Sequence, residues 1–382
     1  MIRVLHISKY YYPFLGGIVN VCRQLVNGMA GCQSSVICFS ESRKSVVEIV
    51  DGITVYRAAS WCKVSSQAIA PGYYPMLRRA LREQQPDIVH FHWANPFAAA
   101  PLLMLLPTAT RLVVHWHMDI IRQSYLYPLI KPLESALLRR ADRIIVTSPQ
   151  YLEDSVPLRP YRDKAFVVPN AVDAASLELR DGDLDAIRSI RRRYDGRKIV
   201  LFVGRHIHYK GLPYLLEAER YVHSDSVFVI AGNGPLTEEL RKQTDSKRVY
   251  FVGRISDDEL RQYLHAASVF AFPSVTKNEA FGLALAEAMY CHTPAVTFTI
   301  HGSGVNWVSL NGVTGIEVTN RDANALAKAL DTLLADDALR QRMGEAAHRR
   351  VSDNFTVQTM LHQMRLCYAE LMQNEHPADG RT

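Results

Sequence analysis

The stretch Ile199–Gly211 reads IVLFVGRHIHYKG, a continuous apolar run that passes into a loop ending in glycine. Such a run, rich in β-branched residues, is typical of a strand covered on both faces in a parallel sheet. Similar runs separated by helical patterns follow it at Val227–Ala231, Val249–Val252, Val269–Phe272 and Ala295–Phe298. The alternation predicts a doubly wound α/β domain.

The chain before this stretch alternates in the same way. Its apolar runs are Val4–Ser8, Ser35–Phe39, Ile53–Arg57, Ile88–Trp93, Leu112–Trp116, Ile144–Thr147 and Phe166–Val168. Helical patterns between them occupy Ile18–Met29, Tyr74–Gln84 and Leu133–Arg139. The sequence therefore predicts two doubly wound α/β domains. Because ligands bind beyond the carboxyl ends of parallel strands, we expect the site in a cleft between the two sheets.

Domain boundaries are placed from composition. We expect domains over residues 1–175 and 185–355, with the polar segment Asp173–Asp195 linking them. A last helix is predicted over 356–372, and a polar, disordered tail over 373–382. Asp181-Gly182-Asp183 has the form of a metal-binding Asp-x-Asp, but it lies in the polar segment and is interpreted as solvated loop.

Composition limits the class of protein. The 382 residues suggest two domains, and 48% hydrophobic residues suffice for two cores. Met1–Ser8 is interpreted as a buried strand rather than a signal peptide, and no run reaches the ~20 apolar residues of a membrane-spanning helix. Six scattered cysteines, none at metal-ligand spacing, favour a reducing cytoplasm.

Positive charge is concentrated in the first half. Residues 1–173 hold 19 Lys+Arg against 12 Asp+Glu, a net of +7, whereas the remainder holds 25 against 26, a net of −1. An anionic membrane surface, nucleic acid or a plain solvated face would each account for this excess. No nucleic-acid-binding motif accompanies the charge, so we expect a membrane surface and no nucleic acid as partner.

Two loops are candidates for binding an anion. Gly16-Gly17 precedes a helix, where glycines let a ligand approach the backbone amides, although a bare turn is the alternative. Arg205 and Lys210 follow a strand and can converge on one anion, which suits a diphosphate. Two cations can neutralise such a leaving group without a metal, and a solvated basic loop is the alternative.

Two glutamates flank the start of an apolar helix. Glu287 lies among Ala, Leu and Met, where a carboxylate is costly unless it is hydrogen-bonded, and Glu279 precedes the free amides of Phe281–Leu283. Eight residues of helix span ~12 Å, whereas hydrolytic carboxylate pairs stand ~5–9.5 Å apart. The pair is better suited to two separated hydroxyl-rich groups, such as a sugar and a ribose.

Histidines recur at alternate positions of two predicted strands. His115 and His117 share one face and could bind a metal, but no third ligand stands at suitable spacing, so we expect no metal site. His117, at a strand's carboxyl end, is predicted to face the ligand. His90 and His92 are interpreted as core or rim residues.

Taken together, the chain resembles family 4 of the retaining glycosyltransferases, which have the GT-B fold of two facing Rossmann-like domains. The matching motifs, in the family's order, are Gly16-Gly17, His117, Pro169-Asn170 with Asp173, Gly204-Arg205 with Lys210-Gly211, Gly232-Asn233-Gly234-Pro235, Val252-Gly253-Arg254, and Glu279 through Glu287. Glu279 and Glu287 form the family's Glu-x7-Glu motif. Ala171 stands where the family more often has glycine.

The resemblance implies a role for each matching residue. Arg205 and Lys210, with Gly16 and Gly17, would hold the donor diphosphate. Glu279 and the Phe281, Gly282 and Leu283 backbone would hold the transferred sugar, and Glu287 the ribose. Gly253, Arg254 and Ile255 would border the base, and His117 would touch the sugar near the anomeric centre. Residues 1–175 would bind the acceptor, residues 185–355 the nucleotide sugar, and the last helix would cross back to the first domain.

A narrower likeness concerns the substrates. His115–Gln123 and Tyr125–Glu134 are similar to bacterial O-antigen mannosyltransferases, which implies GDP-mannose as donor and a lipid-linked saccharide as acceptor at the inner face of the cytoplasmic membrane. Transfer would retain configuration and need no metal or cofactor. A UDP-sugar-dependent transferase, a sugar-nucleotide epimerase and a non-enzymatic sensor remain alternatives.

Overall fold

The computed structural model describes residues 1–14, 16–64, 67–120 and 127–373. The chain forms two compact units. The first comprises Met1–Val168 together with the chain from Met360 onward, and the second comprises Pro169–Thr359. The predicted tail at 374–382 lies outside the described residues.

The first unit is built on an eight-stranded sheet in the order β10-β9-β8-β7-β1-β2-β4-β3. All neighbours are parallel except β3 and β4. The strands of this unit are β1 Ile2–Ile7, β2 Cys32–Phe39, β3 Val46–Val50, β4 Ile53–Ala58, β5 Cys62–Val64, β6 Gln67–Ile69, β7 Ile88–Trp93, β8 Arg111–Trp116, β9 Arg143–Val146 and β10 Ala165–Val167. Strands β5 and β6 form a separate antiparallel pair. Every residue of β7 and β8 is buried, as the continuous apolar runs predict.

Helices connect these strands and cover the sheet. They are α1 Gly17–Gly28, α2 Tyr73–Gln84, α3 Pro96–Leu105, α4 Tyr127–Arg140, α5 Pro149–Asp154 and, late in the chain, α15 Val357–Gln373. A 3₁₀ helix covers Val156–Lys164. Helix α15 buries Met364, Cys367 and Tyr368, so its apolar side packs in the interior.

The second unit contains a six-stranded, all-parallel sheet in the order β13-β12-β11-β14-β15-β16. Its strands are β11 Lys198–Val203, β12 Ser226–Ala231, β13 Val249–Gly253, β14 Val269–Phe272, β15 Ala295–Phe298 and β16 Gly315–Val318. Its helices are α6 Ala174–Leu177, α7 Asp183–Arg193, α8 Leu212–Glu219, α9 Thr237–Lys242, α10 Asp257–Ala266, α11 Leu283–Tyr290, α12 Val305–Val308, α13 Ala323–Ala335 and α14 Asp337–Asn354, with a 3₁₀ turn at His208–Lys210. Two doubly wound α/β sheets are thus confirmed.

The segment Asp173–Asp195 differs from its prediction as a linker. It folds as α6 and α7, and α7 packs against α10. Asp183, interpreted from the sequence as solvated, is 2% exposed and accepts from Arg261 Nε at 2.7 Å. The prediction was wrong because the cation that neutralises Asp183 lies 78 residues further along the chain.

No helix within the described residues has both the length and the apolar character that crossing a membrane demands.

Candidate active site

Strand order reverses in the second sheet between β11 and β14, which are hydrogen-bonded neighbours. The carboxyl ends of parallel strands on either side of such a reversal leave a crevice where ligands bind. The loop after β11 carries Arg205 and Lys210, and the loop after β14 carries Glu279. The fold therefore places these two loops side by side at the switch point.

Lys210 and Glu279 are in direct contact at this point. The Lys210 ammonium donates to Glu279 Oε2, and their side chains are only 12% and 11% exposed. Ser274 Oγ donates to the same carboxylate oxygen at 3.1 Å. The Lys210 ammonium also lies 4.9 Å from the centre of the Phe272 ring, a cation–π distance. The predicted cation and carboxylate are thus held together in a largely dry environment.

Gly211 allows the two loops to approach so closely. Its φ is +66°, and a β-carbon there would stand 1.9 Å from the Pro273 carbonyl oxygen. Just beside it, the Val275 amide donates to the Tyr209 carbonyl at 2.9 Å. No residue other than glycine fits this position without separating the loops.

Helix α11 begins directly after Glu279. Gly282 precedes it with φ +89°, and Phe281 is 2% exposed and packs edge-on against Phe355. The first amides of a helix have no intrahelical acceptor, so the backbone at Phe281, Gly282 and Leu283 can meet an anion or hydroxyl oxygens. The Ser303 hydroxyl donates to the Glu279 carbonyl and holds this turn in place.

Glu287 lies within α11, eight residues after Glu279, and is partly buried. Burial, with a smaller contribution from the carboxylate of Asp257, raises the pKa of Glu287 to about 7, against the opposing charge of Lys210. A group of this kind gains from hydroxyl donors, because a hydrogen bond to the charged form stabilises it.

The remaining predicted residues of the second unit border the same edge of the sheet. Arg205 is exposed at the start of its loop. Gly253 ends β13 and accepts from the Gly232 amide at 2.7 Å; Arg254 after it is exposed, whereas Ile255 packs against the core. An open depression of about 530 Å³ adjoins them, lined by Gly232, Asn233, Gly234, Thr237, Glu238, Arg241, Phe251 and Gly253.

Gly16, Gly17 and His117 lie in the first unit. Gly16 precedes α1, and a β-carbon there would meet nothing within 4 Å. His117 follows β8, is 5% exposed, and its Nε2 lies 3.0 Å from His92 Nδ1. Leu15 and the stretch Ile121–Leu126, part of the likeness to O-antigen transferases, lie outside the described residues.

The expectation that no third histidine stands near His115 and His117 was wrong. His90, His92 and His115 each offer a ring nitrogen, and the three atoms lie within 4.8 Å of one another. His6, which drew no attention in the sequence, joins the same cluster. The sequence did carry a signal, because the pattern His-x-His occurs twice, at His90–His92 and at His115–His117. Which residues of the two strands lie opposite each other could not be known from the sequence.

Both halves of the chain match glycosyltransferase families. Residues 15–176 match the family model described as Glycosyltransferase Family 4, and residues 183–350 match Glycosyl transferases group 1. The chain is 31% identical to O-antigen chain mannosyltransferase C of Escherichia coli, covering 98% of this chain and 100% of that protein. It is 32% identical to D-rhamnosyltransferase WbpZ of Pseudomonas aeruginosa, covering 93% and 92% respectively.

A solved structure shares the fold. HepE of Anabaena, in complex with UDP and glucose, superposes with a TM-score of 0.80 at 19% identity, covering 97% of this chain and 100% of that chain. The fold, together with a cationic loop and a carboxylate at a sheet switch point, defines a glycosyltransferase of the GT-B fold. The chain belongs to glycosyltransferase family 4.

Proposed function

We propose that this glycosyltransferase moves mannose from GDP-mannose onto a lipid-linked oligosaccharide during O-antigen assembly. Support comes from its likeness, over nearly the whole chain, to O-antigen chain mannosyltransferase C of Escherichia coli. The net charge of +7 in residues 1–173 supports peripheral association with the anionic inner face of the cytoplasmic membrane.

The contact of Lys210 with Glu279 is the observation that carries the transferase proposal. A donor diphosphate would bring two negative charges to this ammonium, while the carboxylate beside it would turn to hydroxyls of the transferred sugar. Arg205 would supply a forked donor to the same diphosphate. These two cations would neutralise the leaving group, so the proposed transfer needs neither a metal nor a cofactor.

The proposed reaction retains configuration at the anomeric carbon. The bond from that carbon to the diphosphate oxygen breaks, and a bond to the acceptor hydroxyl oxygen forms on the same face. The acceptor's proton passes to the leaving phosphate oxygen. The Phe281–Leu283 backbone holds the sugar, Glu287 takes the ribose hydroxyls, and Gly253–Ile255 border the base. Gly16 and Gly17 assist at the diphosphate, and His117 touches the sugar.

One assay tests the proposal against its alternatives. The full-length protein is incubated with GDP-mannose, with and without a lipid-linked saccharide. Release of GDP that depends on the acceptor supports transfer, whereas conversion of the donor alone indicates an epimerase. Binding without turnover indicates a sensor. A thermal-shift panel of GDP- and UDP-sugars then identifies the donor, because ligand binding raises the melting temperature; a shift with UDP-sugars alone would overturn the GDP assignment.

A further inference from the structure

Five histidines lie on one buried face of the first sheet. In the parallel register His6 pairs with His90, and His92 pairs with His115. Alternation along β7 and β8 then places His90, His92, His115 and the following His117 on the same side. All five are at most 5% exposed. A parallel sheet face covered by helices is ordinarily apolar, so this concentration of imidazoles requires an explanation.

The five imidazole rings do not satisfy all of one another's hydrogen-bonding nitrogens. Within the described chain, every hydrogen bond of these five rings runs to another ring of the cluster or to Tyr368. His6 Nε2 and His115 Nε2 are buried without any partner. Buried polar atoms are nearly always paired, so two orphaned ring nitrogens show that the rings alone do not satisfy the cluster.

The spacing of the ring nitrogens fits a metal ion. His90 Nε2 and His115 Nδ1 are 3.1 Å apart. One ring nitrogen from each of His90, His92 and His115 forms a group whose atoms all lie within 4.8 Å of one another. Two nitrogens bound tetrahedrally at zinc–nitrogen distances of ~2.0–2.1 Å stand roughly 3.3 Å apart. We propose that His90, His92 and His115 form a binding site for a divalent transition-metal ion such as Zn²⁺.

One further feature supports this ligand set. His90 Nδ1 lies 2.7 Å from Tyr368 Oη, so the hydroxyl can accept its N–H and direct Nε2 toward the metal, as outer partners of ligating histidines do.

A neighbouring set, His6, Cys22 and His92, also comes within ligand distance. Its thiol must lose a proton to bind a metal. The all-histidine set needs no such deprotonation and is the better site. Three imidazoles with a water in the fourth position are a known zinc ligand set.

The proposed ligands are separate from Lys210 and Glu279, which belong to the second unit, although His117, placed at the sugar, lies 3.0 Å from the ligand His92. The proposed role of the metal is to brace β7 and β8 beneath α15, since Tyr368 of that helix contacts the ligand His90. Metal uptake is measured without donor or acceptor, so failure of the transferase assay would not contradict the metal site.

Metal uptake by the tag-free, full-length protein tests the proposal. After refolding in Zn²⁺ and gel filtration, we expect about one equivalent per chain by atomic emission, and Co²⁺ should give the visible bands of a tetrahedral site. His115→Gln should abolish stoichiometric uptake. Tyr368→Phe, which keeps the packing, should weaken Co²⁺ binding about 10–100-fold. His301→Gln, at an exposed position, is the matched control and should bind as the wild type does.

Absence of stoichiometric metal from the wild-type protein would overturn the proposal, whatever the variants do. Wild-type affinity in both His115→Gln and Tyr368→Phe would do so as well. Circular dichroism confirms that each variant is folded before its metal content is compared.

Discussion

The Lys210 ammonium donates to Glu279 Oε2 across the gap between two neighbouring strand ends of the second sheet. The two residues lie 69 positions apart, and Ser274 shares the same carboxylate oxygen at 3.1 Å. An ion pair already formed in this position holds both side chains in a fixed orientation. A donor entering the site therefore exchanges one set of charge contacts for another, with little rearrangement of the loops.

Replacing Lys210 should remove most of the transferase activity. Lys210→Ala leaves the diphosphate without a point charge and the Glu279 carboxylate without its cation, so we expect kcat/KM to fall about 10²–10³-fold. Acceptor-dependent release of nucleoside diphosphate measures this, and Lys242→Ala, an exposed lysine of α9, is the control. An unchanged kcat/KM in folded Lys210→Ala would remove the diphosphate role.

Gly211→Ala should destabilise the protein more than Gly312→Ala, which strains the backbone by a similar amount but brings the new β-carbon into no clash. Gly312 has φ +73° with no atom within 4 Å of an added β-carbon, so Gly312→Ala should cost only about 1–2 kcal/mol. At Gly211 the clash with the Pro273 carbonyl adds about 1–3 kcal/mol. Urea midpoints compare the two variants, and equal midpoints would show that the loops can separate without penalty.

Asp183→Asn should be costly because Asp183 accepts hydrogen bonds from three residues while almost wholly buried. Arg261 Nε donates at 2.7 Å, the Arg180 amide at 2.8 Å and Gln262 Nε2 at 2.9 Å. Removing one charge of a buried pair costs about 3 kcal/mol or more. The control, Asp185→Asn, breaks a pair whose carboxylate is 81% exposed, and should cost under about 1 kcal/mol.

The same pair has a defined pH dependence. The hydrogen bond from Arg261 holds the pKa of Asp183 well below its usual range. Its stabilising contribution is therefore complete above the ordinary carboxyl pKa of 3.8 and is lost as pH falls through the lowered value. Acid unfolding followed by fluorescence should begin at higher pH in Asp183→Asn; coincident acid transitions would contradict this.

Ionisation of Glu287 should change the stability of the protein with pH in the opposite sense to that of Asp183. Burial raises the pKa of Glu287 from 4.5 to about 7, so the folded protein keeps a proton that the unfolded chain releases. Its contribution to the free energy of unfolding therefore falls as pH rises from 4.5 to about 7. Glu287→Gln cannot ionise and should gain stability relative to wild type over that interval. A pH-independent difference between their urea midpoints would refute the assignment.

Much of the second unit could be predicted because its signals are local. The apolar runs before Gly204 and Pro273 each define one strand, and the chemistry of Lys210 and Glu279 follows those strands directly. Two strand ends that meet at a switch point bring such loops together whatever the details of packing. The sequence did not predict that the Lys210 ammonium and the Glu279 carboxylate touch, because that contact depends on β11 and β14 being neighbours.

What escaped prediction depends on contacts between distant segments. Asp183 looks solvated unless Arg261 is known to lie beside it, and the polar segment then folds as a helix of the second unit. The histidines of β1, β7 and β8 form a cluster only when β7 is known to lie between the other two. The missing information was the packing of α7 against α10 in the second unit and the strand order in the first.

Helix α15 completes the first unit only late in synthesis of the chain. Its Tyr368 hydroxyl meets His90, 278 residues earlier in the chain, inside a unit whose sheet is otherwise finished by β10. On a ribosome, those strands emerge long before the helix that covers part of them. The part of the first sheet that this helix covers therefore stays open until the second unit has been translated in full.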